Sequence, residues 1–104
     1  MTKPIASDEV KIAGARYDLP TALTVREFRL IKLQYGILGG HLDYAVAAGD
    51  QDGFAAYALI ALRRAKPETT IEEQINYLED LPAGEIEINY APQPQRGKKP
   101  DPPA

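Results

Sequence analysis

The sequence lacks cysteine altogether and has a single histidine, His41. Without cysteine there can be no disulfide framework and no metal site built on thiolates, and the composition fits a reducing compartment. A metal site at His41 would need several carboxylate partners from elsewhere in the fold, so a solvated surface histidine is the simpler interpretation. We therefore expect neither a metal ion nor a cofactor.

Long apolar runs are also missing. The longest covers nine residues, from Phe54 to Leu62, whereas a membrane-spanning helix needs about 20. The N-terminal sequence MTKPIASDEV lacks the basic region and apolar stretch of a signal peptide. We expect a soluble, unexported protein with no membrane partner.

The residue sets that enzymes use are absent as well. The sequence GILGGH contains three glycines but neither the Lys-Ser/Thr of a phosphate-binding loop nor the spacing of a dinucleotide fingerprint. Nothing near the carboxylates of the acidic segment would raise their pKa, and helix capping and solvation explain them. These carboxylates are Glu72, Glu73, Glu79 and Asp80. We expect an interaction protein rather than an enzyme.

The charge balance argues against a nucleic-acid partner. The formal net charge is −3, and the segment from Ala91 onward holds three basic residues and one acidic residue. The rest keeps nine basic and 14 acidic residues, a net charge of −5, whereas nucleic-acid-binding domains are normally basic.

A chain of 104 residues forms one domain at most. Residues 91–104 hold five of the nine prolines and no aliphatic side chain larger than alanine. Such a segment buries too little apolar surface to offset the entropy of ordering, so it is predicted to be disordered. We expect a flexible N-terminus over residues 1–8 and a folded domain over residues 9–90.

Two stretches have the alternation of β-strands. In EVKIAGARYDLP, the apolar residues Val10, Ile12 and Tyr17 flank Ala13-Gly14, which predicts a hairpin with Gly14 at positive φ. The sequence EIEINY alternates like a strand with one buried face. It either pairs with the hairpin or stays extended.

Capping residues mark the helices. Thr24 and Glu27 form a capping box that begins a helix ending at Gly36. A short helical segment begins at Leu42, and Asp50 caps a long helix over about residues 51–65. The last helix begins at two overlapping capping boxes. The predicted apolar stripes are Phe28, Ile31 and Tyr35 on the first helix and Ile71, Ile75 and Leu78 on the last. The fold class is therefore mainly α, with three to four helices, a short N-terminal β-hairpin and a possible C-terminal strand.

The long helix is apolar nearly all round, which is typical of a central helix. A helical wheel puts Ala58, Ala61 and Leu62 on a side suited to the core and leaves Tyr57 and Ile60 on the other flank. Three helical segments cover about two flanks, so this third flank is either a partner-binding surface or buried. Arg63 and Arg64 next to it either stabilise the helix dipole or extend the partner-binding surface.

The order and spacing of these elements resemble the tail assembly chaperones of long-tailed bacteriophages and prophages. The resemblance rests on VKIAGARYDLP, LTVREFRLIKLQYGI, GDQDGFAAYALIALRRAKPETTIEE and LPAGEIEI, from Val10 to Ile88. The family often has a tryptophan before ALRR, where this chain offers Tyr57. The resemblance therefore transfers no binding residues, and Tyr57, Ile60, Arg63 and Arg64 are predicted from the helical wheel alone.

The resemblance implies a function in tail assembly. Such a protein binds the long, apolar tape measure protein while tail tube subunits polymerise around it, and it is absent from the finished virion. Further implied partners are the tail tube protein, a frameshift-extended form of the chain and a second copy of itself. The codons of Gly97-Lys98 can form a slippery sequence for such a frameshift.

Two other functions remain open. The helices flanking residues 36–40 could form a helix-turn-helix whose cations, Arg26, Arg29 and Lys32, face DNA phosphates, although the net acidity opposes it. A structural head–tail or tail component would instead be found in purified virions. An enzyme ranks third, with no residues to nominate.

Overall fold

The structure, a computed structural model, describes residues 7–91. It contains three strands and four helices, which confirms the predicted fold class. The predicted disordered tail lies outside the described residues except for Ala91, and the predicted flexible N-terminus lies outside them except for Ser7 and Asp8. In chain order the elements are β1 (Glu9–Ile12), β2 (Ala15–Asp18), α1 (Val25–Tyr35), a 3₁₀ turn (Gly39–His41), α2 (Leu42–Ala47), α3 (Gln51–Ala65), α4 (Ile71–Glu79) and β3 (Ile86–Asn89).

The strands form one antiparallel sheet in the order β2-β1-β3, so the EIEINY strand pairs with the hairpin. Val10 lies opposite Tyr17 on one side and Ile88 on the other, and Ile12 lies opposite Ile86. Since side chains alternate between the faces of a strand, these residues share one apolar face. That face packs against α3.

The hairpin turn differs from the prediction in one respect. Gly14 has the expected positive φ of 88°, but Ala13 is also left-handed, at 49°. A two-residue turn in which both residues have positive φ matches the right-handed twist of the flanking strands. The strand twist therefore holds an alanine in a conformation that asparagine or glycine adopts more easily.

The helix caps match the prediction at α1 and α3, and only in part at α4, where a single N-cap replaces the two predicted capping boxes. Thr24 and Glu27 form the reciprocal capping box of α1, and Gly36 ends that helix in the left-handed conformation. The Asp50 carboxylate accepts from the Asp52 N–H at the start of α3. At α4 the capping residue is Thr70, whose hydroxyl accepts from the Glu73 N–H.

Helix α3 is the centre of the domain. Its residues Ala58, Leu59, Ala61 and Leu62 pack against the sheet and against Leu78 of α4. Its other side packs against α1 and α2. At Gly53 an added Cβ would lie 3.0 Å from the Ala45 Cβ and the Val46 N, so this glycine lets α2 and α3 approach closely.

The apolar stripes of two helices were predicted only in part. Ile31 is buried as expected on α1, but Phe28 is exposed. On α4, Leu78 is buried whereas Ile71 is exposed, and the buried position one turn from Leu78 belongs to Gln74. Burial therefore follows the neighbouring elements rather than apolar spacing alone.

The two ends of the described chain meet. The Ala91 N–H donates to the Asp8 carboxylate at 2.8 Å, and the Leu19 N–H donates to the Asp8 carbonyl oxygen. These hydrogen bonds join the two ends of the described residues.

Candidate partner-binding surface

The structure buries the flank that sequence analysis offered to a partner. Ile60 is 0% exposed and Tyr57 is 7% exposed. Of the two interpretations that the sequence leaves open for this flank, the structure supports burial within the monomer.

The flank is buried because β3 also covers α3, whereas the sequence-based prediction counted only helices as cover. Because β3 joins the hairpin, a three-stranded sheet covers the alanine-lined side of α3. Helices α1 and α2 are then free to cover the Tyr57/Ile60 side, where they contribute Ile31, Leu42 and Val46. Together these elements leave no open flank along the middle of α3.

Arg63, predicted for a partner, bonds inside the domain. Its guanidinium donates to the Thr69 carbonyl oxygen and, at 3.0 Å, to the Gln74 Oε1. The Gln74 Nε2 donates in turn to the carbonyl oxygens of Leu62 and Lys66, both at 3.1 Å. These bonds tie the end of α3 to the start of α4, so Arg63 has a structural role.

Arg64 also has an internal partner. Its Nε and Nη2 donate to the two carboxylate oxygens of Glu27 at 2.8 and 2.7 Å, and Nη2 reaches the Thr21 carbonyl oxygen. The hydrogen bond from Arg64 holds the pKa of Glu27 below its ordinary value. Since Glu27 also completes the α1 capping box, Arg64 links the end of α3 to the start of α1.

Two of the exposed apolar side chains lie around the α1–α2 connection. Leu38 is 50% exposed and Tyr44 is 79% exposed, and both line a groove of about 540 Å³. We call it the α2 groove; its lining residues are Gly36, Ile37, Leu38, His41, Tyr44, Ala45 and Asp50. An aliphatic and an aromatic side chain that converge on an open groove are the kind of anchor that protein partners use.

A second groove of about 500 Å³ lies at the end of β3. We call it the Tyr90 groove; it is lined by Asp8, the segment 19–23, Phe28, Gly39, Leu42, Asp43, Tyr57 and Tyr90. The Tyr57 hydroxyl donates to the Asp43 Oδ1, which connects α3 to α2. Phe28 and Tyr90 are exposed on the groove, so it combines aromatic surface with two carboxylates.

The charged residues that line the Tyr90 groove, Asp8 and Asp43, are both acidic. Burial raises the pKa of Tyr57, and the hydrogen bond to Asp43 raises it further. Burial followed by the charges of Asp43 and Asp8 raises the pKa of Tyr90. Both carboxylates therefore act on Tyr90 together, and none of the lining residues is a lysine or arginine.

A smaller cavity of about 210 Å³ lies beside Tyr35. The Tyr35 hydroxyl is buried and has no hydrogen-bond partner within residues 7–91. Burial is the main cause that raises the pKa of the Tyr35 hydroxyl, and with the charges of Glu79 and Asp52 it raises this pKa to about 12. This phenol therefore stays protonated at neutral pH.

His41 is exposed at the end of the 3₁₀ turn, as expected for a solvated histidine. Within residues 7–91, no group of three or more histidine, aspartate or glutamate side chains is placed to hold a metal ion. None of the described helices has the length and apolar content to cross a bilayer.

Comparison of the chain with models of protein families, with curated proteins and with solved structures found no match.

Most residues that line the two grooves were not predicted from the sequence, although Tyr57, one of the predicted site residues, lines the Tyr90 groove. Leu38 lies in the glycine-rich connection, and Tyr44 falls off the stripe that Leu42, Ala45 and Val46 form on one face. An aromatic side chain off the buried stripe is a usable indication of an exposed contact. No sequence pattern predicts the Tyr90 groove, because the pairing of β3 brings Tyr90 to Asp43 from a distant part of the sequence.

Proposed function

We propose that this chain is a tail assembly chaperone of a long-tailed bacteriophage or prophage. In this proposal it acts in the cytoplasm of the bacterial host, binds the tape measure protein while the tail tube polymerises, and is absent from the virion. Support comes from the order and spacing of its elements, from the hairpin before the Thr-capped helix to the closing acidic strand.

The observation that carries the proposal is the α2 groove. A chaperone for an apolar helical client needs an exposed apolar surface, because a helix binds through side chains spaced along one face. Leu38 and Tyr44 supply such a surface because both line one groove, whereas Leu33, which is more exposed than either, lies outside it. In the proposal the groove replaces the Tyr57/Ile60 flank as the client-binding surface.

Further partners belong to the same proposal. They are the tail tube protein, a second copy of the chain and a frameshift-extended form. The Gly97-Lys98 site of the frameshift lies outside the described residues.

Co-expression with a tape measure protein tests the proposal. We expect the wild-type chain to raise the soluble fraction of the tape measure protein, and the double variant Leu38→Asp/Tyr44→Asp to lose that effect. Both side chains are exposed, so charge at these positions should leave the domain folded. The measurement is the amount of tape measure protein in the soluble fraction and in a pull-down.

The matched control is Tyr77→Asp, at an exposed tyrosine of α4 that lies outside the α2 groove. It should retain full chaperone activity. A wild-type chain that leaves the tape measure protein insoluble would contradict the function. A double variant as active as the control would contradict the assignment of the α2 groove as the client-binding surface, but not the proposed function. Recovery of the chain from purified particles would favour a structural virion component.

A DNA-binding regulator has less support. Arg26, Arg29 and Lys32 are exposed on α1. However, α2, the helix that would enter the major groove, has one charged residue, Asp43, and no cation, and phosphates would repel it. DNA binding that weakens steeply between about 50 and 200 mM salt would favour this alternative.

A further inference from the structure

The chain leaves its domain at the Tyr90 groove. Tyr90 lines the groove, and the next residue, Ala91, donates its N–H to Asp8 on the groove wall. The 13 residues that follow in the sequence therefore start at the groove edge.

The groove has the chemistry of a site for a proline-rich basic peptide. Phe28 and Tyr90 present exposed aromatic rings, and prolines in the polyproline II conformation dock on such surfaces. Asp43 uses its Oδ1 for the Tyr57 hydroxyl, and its side chain is exposed, so a cation can approach the Oδ2. The Asp8 carboxylate adds a second negative charge on the same groove.

The segment after Ala91 matches this chemistry. It reads PQPQRGKK, with Pro92 and Pro94 followed by Arg96, Lys98 and Lys99. A polyproline II segment extends about 3.1 Å per residue, so Arg96 can lie up to about 15 Å from Ala91. The prolines can therefore reach the aromatic rings next to the exit point, and the cations follow within reach of Asp43.

We propose that the segment Pro92–Lys99 docks along the Tyr90 groove of its own domain. Its prolines pack on Phe28 and Tyr90, and its cations lie beside Asp43. Docking within the chain is favoured over docking of a second copy, because a short tether gives an effective concentration in the millimolar range. This docking does not depend on the proposed function, because the docked segment would occupy the Tyr90 groove and leave the α2 groove free for a client.

Paramagnetic relaxation in the full-length chain tests this docking. The absence of native cysteine allows a nitroxide label at a single introduced cysteine, Gln95→Cys. We expect the amide signals of Phe28, Gly39 and Asp43 to lose most of their intensity, while those around Tyr77, outside this groove, keep theirs. The loss should shrink in about 1 M salt, where charges are screened beyond about 3 Å.

Tail variants supply the controls without touching the domain. In the labelled chain, Arg96→Glu combined with Lys98→Glu and Lys99→Glu should reduce the signal loss at Phe28, Gly39 and Asp43, and Arg96→Lys, which keeps the charge, should retain it in full. An equal loss in the charge-reversed chain would overturn docking, because tethering alone would then account for it. Docking is overturned if the groove signals keep their intensity or if signals over the whole domain weaken equally. It is also overturned if isotope-enriched chain without the label shows the same loss when labelled chain is added, since the tail would then occupy a second copy.

Discussion

The side chain of Gln74 is buried at 3% exposure on α4, where its amide satisfies groups from the end of α3. Its Oε1 also accepts from Arg63. A buried amide is favourable only when its donors and acceptors are paired, and here the pairs join two helices across a turn. At the scale of single residues, a polar side chain with paired hydrogen bonds therefore occupies a buried position of α4 where helical spacing favours an apolar residue.

We predict that Gln74→Leu lowers the free energy of unfolding by about 1–3 kcal/mol, because it removes one hydrogen bond each from the Arg63 guanidinium and from the carbonyl oxygens of Leu62 and Lys66. Urea unfolding measures the change. Asn76→Gln, at an exposed position of the same helix, serves as the control and should change stability by less than about 0.5 kcal/mol. Equal stability of Gln74→Leu and wild type would show that the network contributes nothing.

Among the secondary-structure elements, Glu27 connects two helix ends. Its carboxylate caps the Thr24 N–H at the start of α1 and accepts two hydrogen bonds from Arg64 near the end of α3. The Arg64 hydrogen bonds lower the pKa of Glu27 most, while partial burial opposes them. The pair therefore makes the packing of α1 on α3 sensitive to acid.

The sign of this pH dependence follows from the lowered pKa. The folded state binds the Glu27 proton less tightly than the unfolded state, whose pKa is near 4.5. The stabilisation is therefore complete above about pH 4.5 and is lost as the pH falls through the lower folded value. We predict that Glu27→Gln destabilises the domain at pH 7 by roughly 0.5–1 kcal/mol, because Arg64 is 39% exposed and the pair is screened.

Urea unfolding of wild type and Glu27→Gln between pH 7 and pH 3 checks this prediction. The difference between the two proteins should shrink in acid. In an Arg64→Ala background the same change should lose most of its pH dependence. A difference that stays constant down to pH 3 would contradict the role of the ion pair.

For the molecule as a whole, one central helix organises the core. The sheet and α4 cover one side of α3, and α1 and α2 cover the other. Ile60 lies on the α1–α2 side, so a defect at this residue affects packing between three helices.

We predict that Ile60→Ala lowers the free energy of unfolding by about 2–5 kcal/mol through the cavity it leaves. Ile60→Asp should unfold the domain, because it buries an unpaired charge. Thermal unfolding followed by circular dichroism measures both. Leu33→Asp, at a strongly exposed leucine of α1, is the control and should stay folded. A folded Ile60→Asp protein that lost only its partner would restore the Tyr57/Ile60 flank as a binding surface.

Local chemistry explains which predictions were confirmed. The capping box at Thr24, the N-cap at Asp50 and the left-handed Gly36 all involve groups within a few residues of each other. The hairpin at Ala13-Gly14 is local in the same sense. Such bonds form in almost any tertiary context, so sequence alone locates them.

Burial was predicted less well because it depends on distant partners. The pairing of β3 with β1 joins residues about 80 positions apart, such as Glu9 and Asn89, and no local pattern determines it. This pairing completes the sheet over one side of α3 and brings Tyr90 to the groove that holds Asp43.

The amino-acid sequence by itself determined where the helices and the hairpin begin and end, since caps and turns depend on neighbouring residues. Only the tertiary structure decided that Tyr57 and Ile60 are buried and that Leu38 and Tyr44 are exposed. The physical reason is that an apolar side chain is buried only where another element is available to cover it, and the elements that cover α3 come from both ends of the chain.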